Sequence, residues 1–373
     1  MSSREIGLYI HIPFCAHKCN YCDFVSFGDK LDKVDKYIEQ LKSEIISYKL
    51  EQYEITTIYI GGGTPSYINS KHIEDILSLI NKEKAQEITL EVNPGTSTKD
   101  KLKSYKNAGI NRLSIGLQST NNNLLKQIGR IHTYEEFLET YKIAREIGFR
   151  NINVDLMIGL PNQTTEDVKE TLEKIIQINP EHISVYSLIV EEGTKLKEQL
   201  EKKEFVLPTE EDEREMYWNV KKMLEEVGYM HYEISNFAKP NFYSRHNTNC
   251  WEQKEYIGIG LAAHSYMNKT RYSNTEILEK YLEDFQKNRT IHEVQDIQNE
   301  QKEYMLLGLR KIEGVCIQEF KNKFTQSPIY LYKYELNKLV KHKLIEIDTN
   351  YIKLTKKGIN LANLVWEEFI WII

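Results

Sequence analysis

The amino-acid sequence predicts an α/β fold, in which a partial (β/α)6 barrel of the TIM type precedes a C-terminal helical, winged-helix-like domain. Three observations predict it. Six apolar or β-branched runs alternate with helical patterns over the first half of the chain, which is typical of right-handed βαβ units and a parallel sheet. Six units are fewer than the eight strands that close a TIM barrel, so we expect an open one. Near the carboxyl end, three helical patterns precede two short alternating runs, the order of elements in a winged helix.

The strands and helices of the barrel are placed by their hydrophobic periodicity and by the residues at their ends. Strands are predicted at residues 8–12, 55–60, 87–94, 110–119, 151–161 and 182–188. Helices are predicted at residues 34–48, 72–80, 99–108, 134–147 and 210–228, and from about residue 164. Gly109 and Gly148 are expected to cap two helices at their carboxyl ends, and Thr164 and Thr165 to provide an N-cap. Because parallel sheets place their sites at the carboxyl ends of the strands, we expect the functional residues there.

Three regions are expected: the barrel at residues 1–230, a connecting segment at 231–297 and the winged-helix-like domain at 298–373. The last region is predicted to hold helices at residues 300–310, 317–324 and 329–342 and a hairpin turning at 348–350. Winged helices bind DNA or pack against other proteins. Because the lysines here are mixed with acidic residues and the chain has a formal charge of −6, we favour packing and expect no nucleic-acid partner.

The chain is expected to be cytoplasmic. Its five cysteines are an odd number and three of them are close together, which indicates a reducing compartment and not a disulfide framework. Too few residues precede the first strand for a signal peptide, and no apolar run approaches the length of a membrane span. The apolar tail at residues 361–373 is interrupted by Glu367 and Glu368, so we predict an amphipathic helix packed on the body of the protein.

The stretch GLYIHIPFCAHKCNYCDF, at residues 7–24, carries the strongest chemical signal. It contains three cysteines in a CxxxCxxC spacing: Cys15, Cys19 and Cys22. Three thiolates can converge on one metal centre, and an iron–sulfur cluster held by three cysteines keeps one iron open for another ligand. A zinc site is the alternative, and it would need a fourth ligand, for which His11 and His17 are the candidates nearby.

The pattern YIHIPFCxxxCxxCDF resembles the radical S-adenosylmethionine (SAM) superfamily, in its branch of oxygen-independent coproporphyrinogen III oxidase-like proteins. The resemblance implies the same (β/α)6 barrel, a [4Fe–4S] cluster on the three cysteines, and SAM bound to the open iron through its amino and carboxylate groups. It also implies an electron donor, because an electron from the cluster cleaves SAM to a 5′-deoxyadenosyl radical.

Polar residues at the ends of the predicted strands are candidates for contact with SAM. The glycine run at residues 61–63 indicates either a tight turn or a close approach of the backbone to a ligand. Glu91 either forms a local salt bridge or binds a ligand. Asp155 lies in an apolar strand, where an unpaired carboxylate is costly, so we expect a partner or a ligand hydroxyl. The resemblance implies SAM contacts at Tyr9, Tyr21, Gly62, Gly63, Thr64, Glu91, Gln118, Arg130 and Asp155.

The sequence RHNTNCW at residues 245–251 is predicted to be a polar loop, and it resembles the HNxxYW motif of the HemW family of heme chaperones. The resemblance implies that His246 ligates heme. Cys250 stands where that family has tyrosine, and since a thiolate is also a heme ligand, Cys250 is the alternative. Phe24 stands where the porphyrin decarboxylase of the branch has a fourth cysteine, which weakens an assignment to that enzyme.

These resemblances together imply a heme chaperone of the HemW type that binds heme and passes it to heme-accepting proteins on a radical SAM scaffold. The alternatives are an oxygen-independent coproporphyrinogen III dehydrogenase, which decarboxylates its substrate by a radical route, and a radical SAM methyltransferase. The expected partners are heme, the acceptor proteins and an electron donor. Contact with a membrane is expected to be peripheral at most, through the acceptors.

Overall fold

The computed structural model describes residues 4–370. Its first half confirms the predicted alternation of strands and helices. Six strands lie in the sheet in the order in which they follow in the chain, each parallel to the next. These strands are β1 (Arg4–Ile12), β2 (Tyr53–Gly62), β3 (Glu87–Val92), β4 (Arg112–Gln118), β5 (Ile152–Ile158) and β6 (His182–Ser187).

The helices of this half lie between the strands and begin at polar N-caps. They are α1 (Val34–Ser47), α2 (Ser70–Ser78), α3 (Lys99–Asn107), α4 (Asn122–Gln127), α5 (Tyr134–Ile147) and α6 (Thr165–Ile178). The predicted N-cap at Thr164 is confirmed, since its hydroxyl accepts from the amide of Asp167, whose carboxylate in turn accepts from the amide of Thr164. Gly148 ends α5 with a left-handed φ of 99°, as predicted. The short helix α4 was not predicted.

Side chains on the parallel strands alternate between a hydrophobic layer and a polar interior. On β4, Leu113, Ile115 and Leu117 are fully buried in the hydrophobic core, whereas Ser114 and Gly116 line a cavity on the other side of the sheet. Every residue of β4 is buried. The strand therefore has protein on both faces, as expected of a parallel sheet covered by helices.

The sheet continues on both sides of the six parallel strands. The further elements are α7 (Lys195–Glu201), α8 (Glu210–Glu226), β7 (Met230–Glu233), β8 (Asn236–Ala238), α9 (Arg245–Trp251), β9 (Tyr256–Ile259), β10 (His264–Met267), β11 (Thr270–Ser273), α10 (Leu278–Asp284) and β12 (Thr290–Val294). Strand β9 is parallel to β1, while β8 is antiparallel to β6. The strand order in this mixed sheet is β12-β11-β10-β9-β1-β2-β3-β4-β5-β6-β8-β7. Its end strands are not paired with each other among residues 4–370, so the predicted open barrel is confirmed.

The C-terminal part has its own hydrophobic core and a small sheet in the order β13-β15-β14. Its elements are α11 (Ile297–Gly308), β13 (Val315–Cys316), α12 (Ile317–Phe324), α13 (Pro328–Leu331), α14 (Lys333–Lys341), β14 (Ile345–Ile347), β15 (Tyr351–Leu354), α15 (Lys356–Asn360) and α16 (Ala362–Trp366). The three domain limits proposed from the sequence stay a prediction.

Two predictions for this part are corrected by the structure. The helix expected at residues 329–342 is two helices, because Tyr332 has a non-helical backbone and its ring packs edge-on against Phe320 and Phe369. The hairpin gains a third strand, β13, which is too short to show a pattern in the sequence. In the apolar tail, α16 buries Val365, and Phe369 of the following turn is also buried. Residues 371–373, which belong to the tail prediction, lie outside the described residues. Within residues 4–370, no helix is both long and apolar enough to cross a membrane.

Candidate functional site

A cavity of about 420 Å³ opens at the carboxyl ends of the parallel strands, where the sequence predicted the site. The structure brings most of the predicted site residues to this one cavity, although they come from separate elements. Those that line it are Cys15, Cys19, Tyr21, Cys22, Gly62, Gly63, Thr64, Glu91, Gln118, Arg130 and Asp155. Tyr9 and His246 do not. The assignment of each residue to a ligand stays a prediction, but the residues are together.

The cysteine segment follows β1 and is tied to the strands around it. The Cys15 amide donates to the carbonyl of Phe27 at 2.9 Å, and the Thr64 hydroxyl donates to Cys15 Sγ at 3.5 Å. Arg130 Nη1 donates to Cys19 Sγ at 3.6 Å. Burial raises the pKa of the Cys15 and Cys22 thiols. These thiols are therefore expected to become thiolates mainly on binding a metal centre, whose positive charge offsets the cost of burial.

The donor set fits an iron–sulfur cluster. Among residues 4–370, no three His, Cys, Asp or Glu side chains converge closely enough to hold one metal ion. In a [4Fe–4S] cluster each thiolate binds a different iron, so three sulfurs around one cavity are sufficient. His11 cannot readily supply a fourth zinc ligand, because Nδ1 bonds the Tyr9 hydroxyl and Nε2 bonds the Val25 carbonyl, both at 2.9 Å. His17 is exposed at the mouth of the cavity.

The glycine run at the end of β2 is needed for packing between protein groups. A Cβ on Gly61 would lie 2.8 Å from the Glu91 carboxyl carbon, and one on Gly62 would lie 2.5 Å from the His11 ring. A Cβ on Gly63 would lie 2.9 Å from the Phe14 nitrogen and 3.0 Å from Cys15 Sγ. The glycines thus allow β2 to approach β3 and the cysteine segment, and the side chains that they admit line the cavity.

The two carboxylates of the cavity are held by short polar contacts. Glu91 accepts from the Tyr59 hydroxyl at 2.9 Å and from the Gly62 amide at 3.0 Å. Burial raises its pKa to about 7, and the charge of Asp155 also raises it. Asp155 accepts from Asn153 Nδ2 at 2.7 Å and from the Ser114 hydroxyl at 3.1 Å, and burial raises its pKa as well. The partner expected for Asp155 is therefore a pair of polar side chains, Asn153 on the same strand and Ser114 on the neighbouring β4.

Two predicted residues have polar atoms without a protein partner. Arg130 donates through Nη2 to the carbonyl of Gly116 at 2.8 Å and to Asn93 Oδ1, but its Nε is buried and unpaired among the described residues. Gln118 Oε1 is likewise buried and unpaired within residues 4–370. Gln118 also has a φ of 67°, an uncommon backbone conformation for a residue other than glycine. Unpaired buried polar atoms beside a cavity indicate that a ligand completes their hydrogen bonds.

The two tyrosines predicted beside the cofactor differ in position. Tyr21 lines the cavity and packs near Leu124, Ile128 and Leu160. Tyr9 lies on β1 away from the lining, where it stacks on Tyr59 with ring centroids 6.3 Å apart. Tyr9 therefore supports residues of the cavity and does not reach it in this conformation.

The segment RHNTNCW is a helix, α9, and not the polar loop predicted from the sequence. The Ser244 hydroxyl caps its first turn by accepting from the Asn247 amide. The carboxylate of Glu87 accepts from the amides of Arg245 and His246 at 2.9 and 3.0 Å. A carboxylate at a helix N-terminus is favourable both for its hydrogen bonds and for the helix dipole. The sequence did contain the N-cap serine, but Glu87 is 158 residues away from Arg245 in the chain.

His246 is buried in the interior of the sheet and is only 6% exposed. Its Nδ1 bonds the Thr57 hydroxyl at 3.0 Å, and its ring packs on Tyr59 with centroids 5.4 Å apart. Burial lowers its pKa to about 4, and the charge of Arg112 adds to this effect, so the imidazole is neutral at physiological pH. Tyr59 lines the cavity of the cysteines, and Thr57 lines a second one. His246 therefore lies between the two.

The second cavity has a volume of about 910 Å³ and lies at the amino ends of the parallel strands. Its walls include Gly7 of β1, on which a Cβ would lie 3.4 Å from the His246 ring, and Thr57 of β2, whose hydroxyl bonds His246 Nδ1. Thr248 and Asn249 of α9 also line it. A ligand in this cavity would meet α9 on the face next to His246.

Cys250 and Trp251 lie at the end of α9 in different environments. Burial raises the pKa of Cys250 to about 11, so at neutral pH it is a thiol and not a thiolate. Trp251 stacks on the guanidinium of Arg310 at 4.5 Å, and Trp366 stacks on the same group at 4.8 Å. Trp251 thus joins α9 to the C-terminal part.

Several residues of the cavity were missed in the sequence. Tyr59, Asn93, Ser114 and Gly116 all line it, and Asn153 orients Asp155. The sequence does mark these residues, because polar residues at every second position of a strand lie on the same face of the sheet. That pattern alone does not separate a cavity from solvent.

Two family models match the chain. One, described as the radical SAM superfamily, matches residues 9–175, and the other, described as the HemN C-terminal domain, matches residues 298–361. The chain is similar to the heme chaperone HemW of Lactococcus lactis, with 39% identity over 99% of this chain and 98% of that protein. It is 38% identical to the heme chaperone HemW of Bacillus subtilis, over 97% of this chain and 98% of that protein.

Further comparisons agree with these. The chain is 35% identical to the heme chaperone HemW of Escherichia coli, over 84% of this chain and 85% of that protein. Among solved structures, it is similar to the coproporphyrinogen III oxidase HemN of Escherichia coli, with a TM-score of 0.85 over 98% of this chain and 90% of that one. At 23% identity this likeness shows the fold alone.

Proposed function

The chain belongs to the HemW family within the radical SAM superfamily, and from this membership we propose that it is a heme chaperone. It binds heme and passes it to heme-accepting proteins. The observation that carries the proposal is the similarity to HemW proteins of several bacteria along almost the whole of both chains, cysteine segment and α9 included.

A [4Fe–4S] cluster and SAM are the cofactors of the first cavity in this proposal. Such a centre supplies one-electron reductive cleavage of SAM when it is bound. The cluster would be held by Cys15, Cys19 and Cys22, with Thr64 and Arg130 donating hydrogen bonds to the sulfurs of Cys15 and Cys19. SAM would satisfy the unpaired Gln118 Oε1 and Arg130 Nε. It would also donate hydrogen bonds to the carboxylates of Glu91 and Asp155.

Heme is the third cofactor in this proposal, and His246 would be the residue that binds its iron. Neutral imidazole is the form that binds iron, and burial keeps His246 neutral. Its Nδ1 is engaged with Thr57, which leaves Nε2 for the iron. Because the ring is buried, ligation requires α9 to move away from β2 and β3, where Glu87, Thr57 and Tyr59 hold it. The raised pKa of Cys250 argues against a thiolate ligand.

The remaining partners are proposals of the same kind. Reductive cleavage of SAM needs an electron donor, and a chaperone needs acceptor proteins, through which contact with a membrane would be peripheral. We propose a cytoplasmic location, supported by the five cysteines, none of which forms a disulfide.

A heme titration of the anaerobically reconstituted protein tests the proposed function. The unmodified protein is expected to bind heme and to show no turnover of coproporphyrinogen III. His246→Ala should abolish or strongly weaken binding, while Cys250→Ala should leave the spectrum almost unchanged. Turnover of coproporphyrinogen III without heme binding would instead support the dehydrogenase alternative.

A further inference from the structure

The interior of the sheet, from the first cavity toward the amino ends of the strands, holds three acidic groups and Arg112. Glu87 and Glu91 are on β3, Asp155 is on β5, and Arg112 is the first residue of β4 between these two strands. Arg112 is paired in register with Thr89, which separates the two glutamates on β3. Successive inward positions on β4 are then Arg112, Ser114 and Gly116, so the guanidinium lies below the hydroxyl that donates to Asp155.

Arg112 is an unusual residue for a protein interior. It is 2% exposed and is the largest of the fully buried side chains. Its Nε has no hydrogen-bond partner among residues 4–370, and no carboxylate of that range lies within ion-pair distance of it. The neighbouring Thr89 hydroxyl is fully buried and also unpaired in that range. Arginine stays charged in proteins, and a buried charge without compensation is strongly unfavourable.

The compensation is present at longer range. Arg112 is the positive group that opposes the effect of burial on both carboxylates of the SAM pocket. Two carboxylates in one buried site repel each other, and at least one tends to take up a proton unless a positive charge is near. Here burial raises the pKa of both carboxylates, the charge of Asp155 further raises that of Glu91, and Arg112 opposes the rise at both. One guanidinium thus balances a pair of acids without a direct bond to either.

We propose that Arg112 is the shared counter-charge of the SAM pocket, a positioning residue that favours the ionised forms of Glu91 and Asp155 so that both accept hydrogen bonds from SAM. The inference rests on the proposed SAM site and deepens it. SAM carries a sulfonium charge and ribose hydroxyls, and ionised carboxylates bind both more strongly than neutral acids do. Without Arg112, a SAM-free pocket would hold protons that SAM must displace.

Other titratable or charged groups face the two carboxylates from each neighbouring element, and the test has to separate them from Arg112. They are Tyr9 on β1, Tyr59 on β2, Glu87 on β3, Tyr186 and His182 on β6, Tyr232 on β7, His246 on α9, and Arg130 after α4. The tyrosines have raised pKa values and the histidines lowered ones because of burial, so these groups stay neutral between pH 6 and 9. In that range, Glu91 is the group whose charge is expected to change, because its pKa is raised to about 7, and burial shifts the pKa of Asp155 in the same direction.

The experiment measures the dissociation constant of SAM by calorimetry from pH 6 to pH 9, with iron content checked for each protein. The unmodified protein is expected to lose affinity below about pH 7, as Glu91 protonates. Arg112→Met should move this midpoint upward by about one unit, so that binding at pH 7 weakens about fivefold while binding at pH 9 is nearly normal. Arg112→Lys, which keeps the charge, should behave like the unmodified protein.

Arg145→Met is the matched control, because Arg145 is an arginine of the same barrel that pairs with Glu181 outside the interior. It should leave the affinity for SAM and its pH midpoint unchanged. An Arg112→Met protein whose affinity is equally weak at every pH, or unchanged at pH 7, overturns the proposal. A lack of SAM binding by the unmodified protein would instead count against the proposed SAM site.

A second measurement tests the charge coupling without SAM. The free energies of unfolding of Asp155→Asn, Arg112→Gln and the double variant form a thermodynamic cycle. If the two charges stabilise each other, the double variant is less destabilised than the sum of the single ones, because it leaves no uncompensated buried charge. Strict additivity overturns the proposal, even if Arg112→Met does not fold.

Discussion

The imidazole of His246 packs on the phenol ring of Tyr59, with ring centroids 5.4 Å apart and planes inclined by 32°. The hydroxyl of the same tyrosine donates to Glu91 Oε1. Tyr59 therefore contacts the proposed heme ligand with its ring and a proposed SAM contact with its hydroxyl. The proposed heme and SAM sites are therefore adjacent, and Tyr59 contacts both of them. Removing only its hydroxyl should affect SAM binding without affecting heme binding.

Tyr59→Phe should weaken SAM binding and leave heme binding unchanged. The ring that packs on His246 remains, but the hydrogen bond that lowers the pKa of Glu91 is lost. A hydrogen bond to a charged group is worth about 1.5–3 kcal/mol, so we expect SAM affinity at pH 7 to fall roughly tenfold or more. Calorimetry with SAM and the visible spectrum with heme measure the two effects.

Tyr105→Phe is the control for this substitution, because the Tyr105 hydroxyl is buried on α3 without a partner in residues 4–370. It should change neither affinity. Equal losses of SAM affinity in the two variants would mean that Glu91 is not a SAM contact.

Replacing Cys15, Cys19 or Cys22 by Ala should remove the cluster, since each thiolate holds one iron. The anaerobic protein should contain about four irons with labile sulfide and a broad charge-transfer band. Cys316→Ala is the control, because Cys316 is on β13 in the C-terminal sheet and should leave the iron content intact. Stoichiometric zinc without labile sulfide would contradict the assignment.

Gly63→Ala should lose iron, whereas Asp155→Ala should lose only SAM affinity. The added Cβ on Gly63 would come within 2.9 Å of the backbone of the cysteine segment, so that segment has to shift. Asp155 contacts no cysteine, and its removal takes away a charged acceptor worth about 1.5–3 kcal/mol. Iron analysis and SAM calorimetry on both variants separate the two effects.

Gly28→Ala is the matched control, because the nearest atom to its Cβ would be an ordinary 3.6 Å away. It should keep both iron and SAM affinity. If Gly63→Ala kept its iron and lost SAM affinity alone, the glycine would be needed for the ligand and not for packing.

Heme affinity should be nearly constant between pH 6 and pH 9 if His246 is the ligand. Burial lowers the pKa of His246 to about 4, so its imidazole is neutral throughout this range and no proton competes with iron. A ligand at Cys250 predicts the opposite. Its pKa of about 11 makes the thiolate fraction, and with it the affinity, rise about tenfold per pH unit. Titrations at four pH values discriminate between them.

Glu87→Gln should loosen α9 and speed heme association. Glu87 accepts both amides at the start of this helix, and Gln offers one neutral acceptor in their place. Loss of a charged acceptor should lower the free energy of unfolding by about 1–3 kcal/mol. Stopped-flow absorbance measures the association rate, and Glu83→Gln, an exposed site before β3, is the control. A slower or unchanged association would show that heme reaches His246 without displacement of α9.

Much of this molecule was predictable because its signals are local. Short-range sequence patterns, which span only a few residues, are enough to predict the six strands and their alternation with helices. The same holds for the cap at Thr164. The cysteine spacing likewise needs only eight consecutive residues. The motif at α9 was recognised as a motif but was wrongly predicted as a loop. The carboxylate that stabilises this helix, Glu87, is distant in sequence.

The sequence by itself determined the order of the elements, the spacing of the three cysteines proposed to hold the cluster and the polar residues at the strand ends, because side-chain periodicity and spacing act over short distances. Only the tertiary structure decided which of these residues meet. The register of β3 against β4 places Arg112 opposite Thr89, between Glu87 and Glu91. The packing of α9 against β2 buries His246 between two cavities. Burial and the charges of residues distant in sequence then set the protonation of Glu91, Asp155 and His246. Neither the burial nor these charges can be read from a local stretch of the chain.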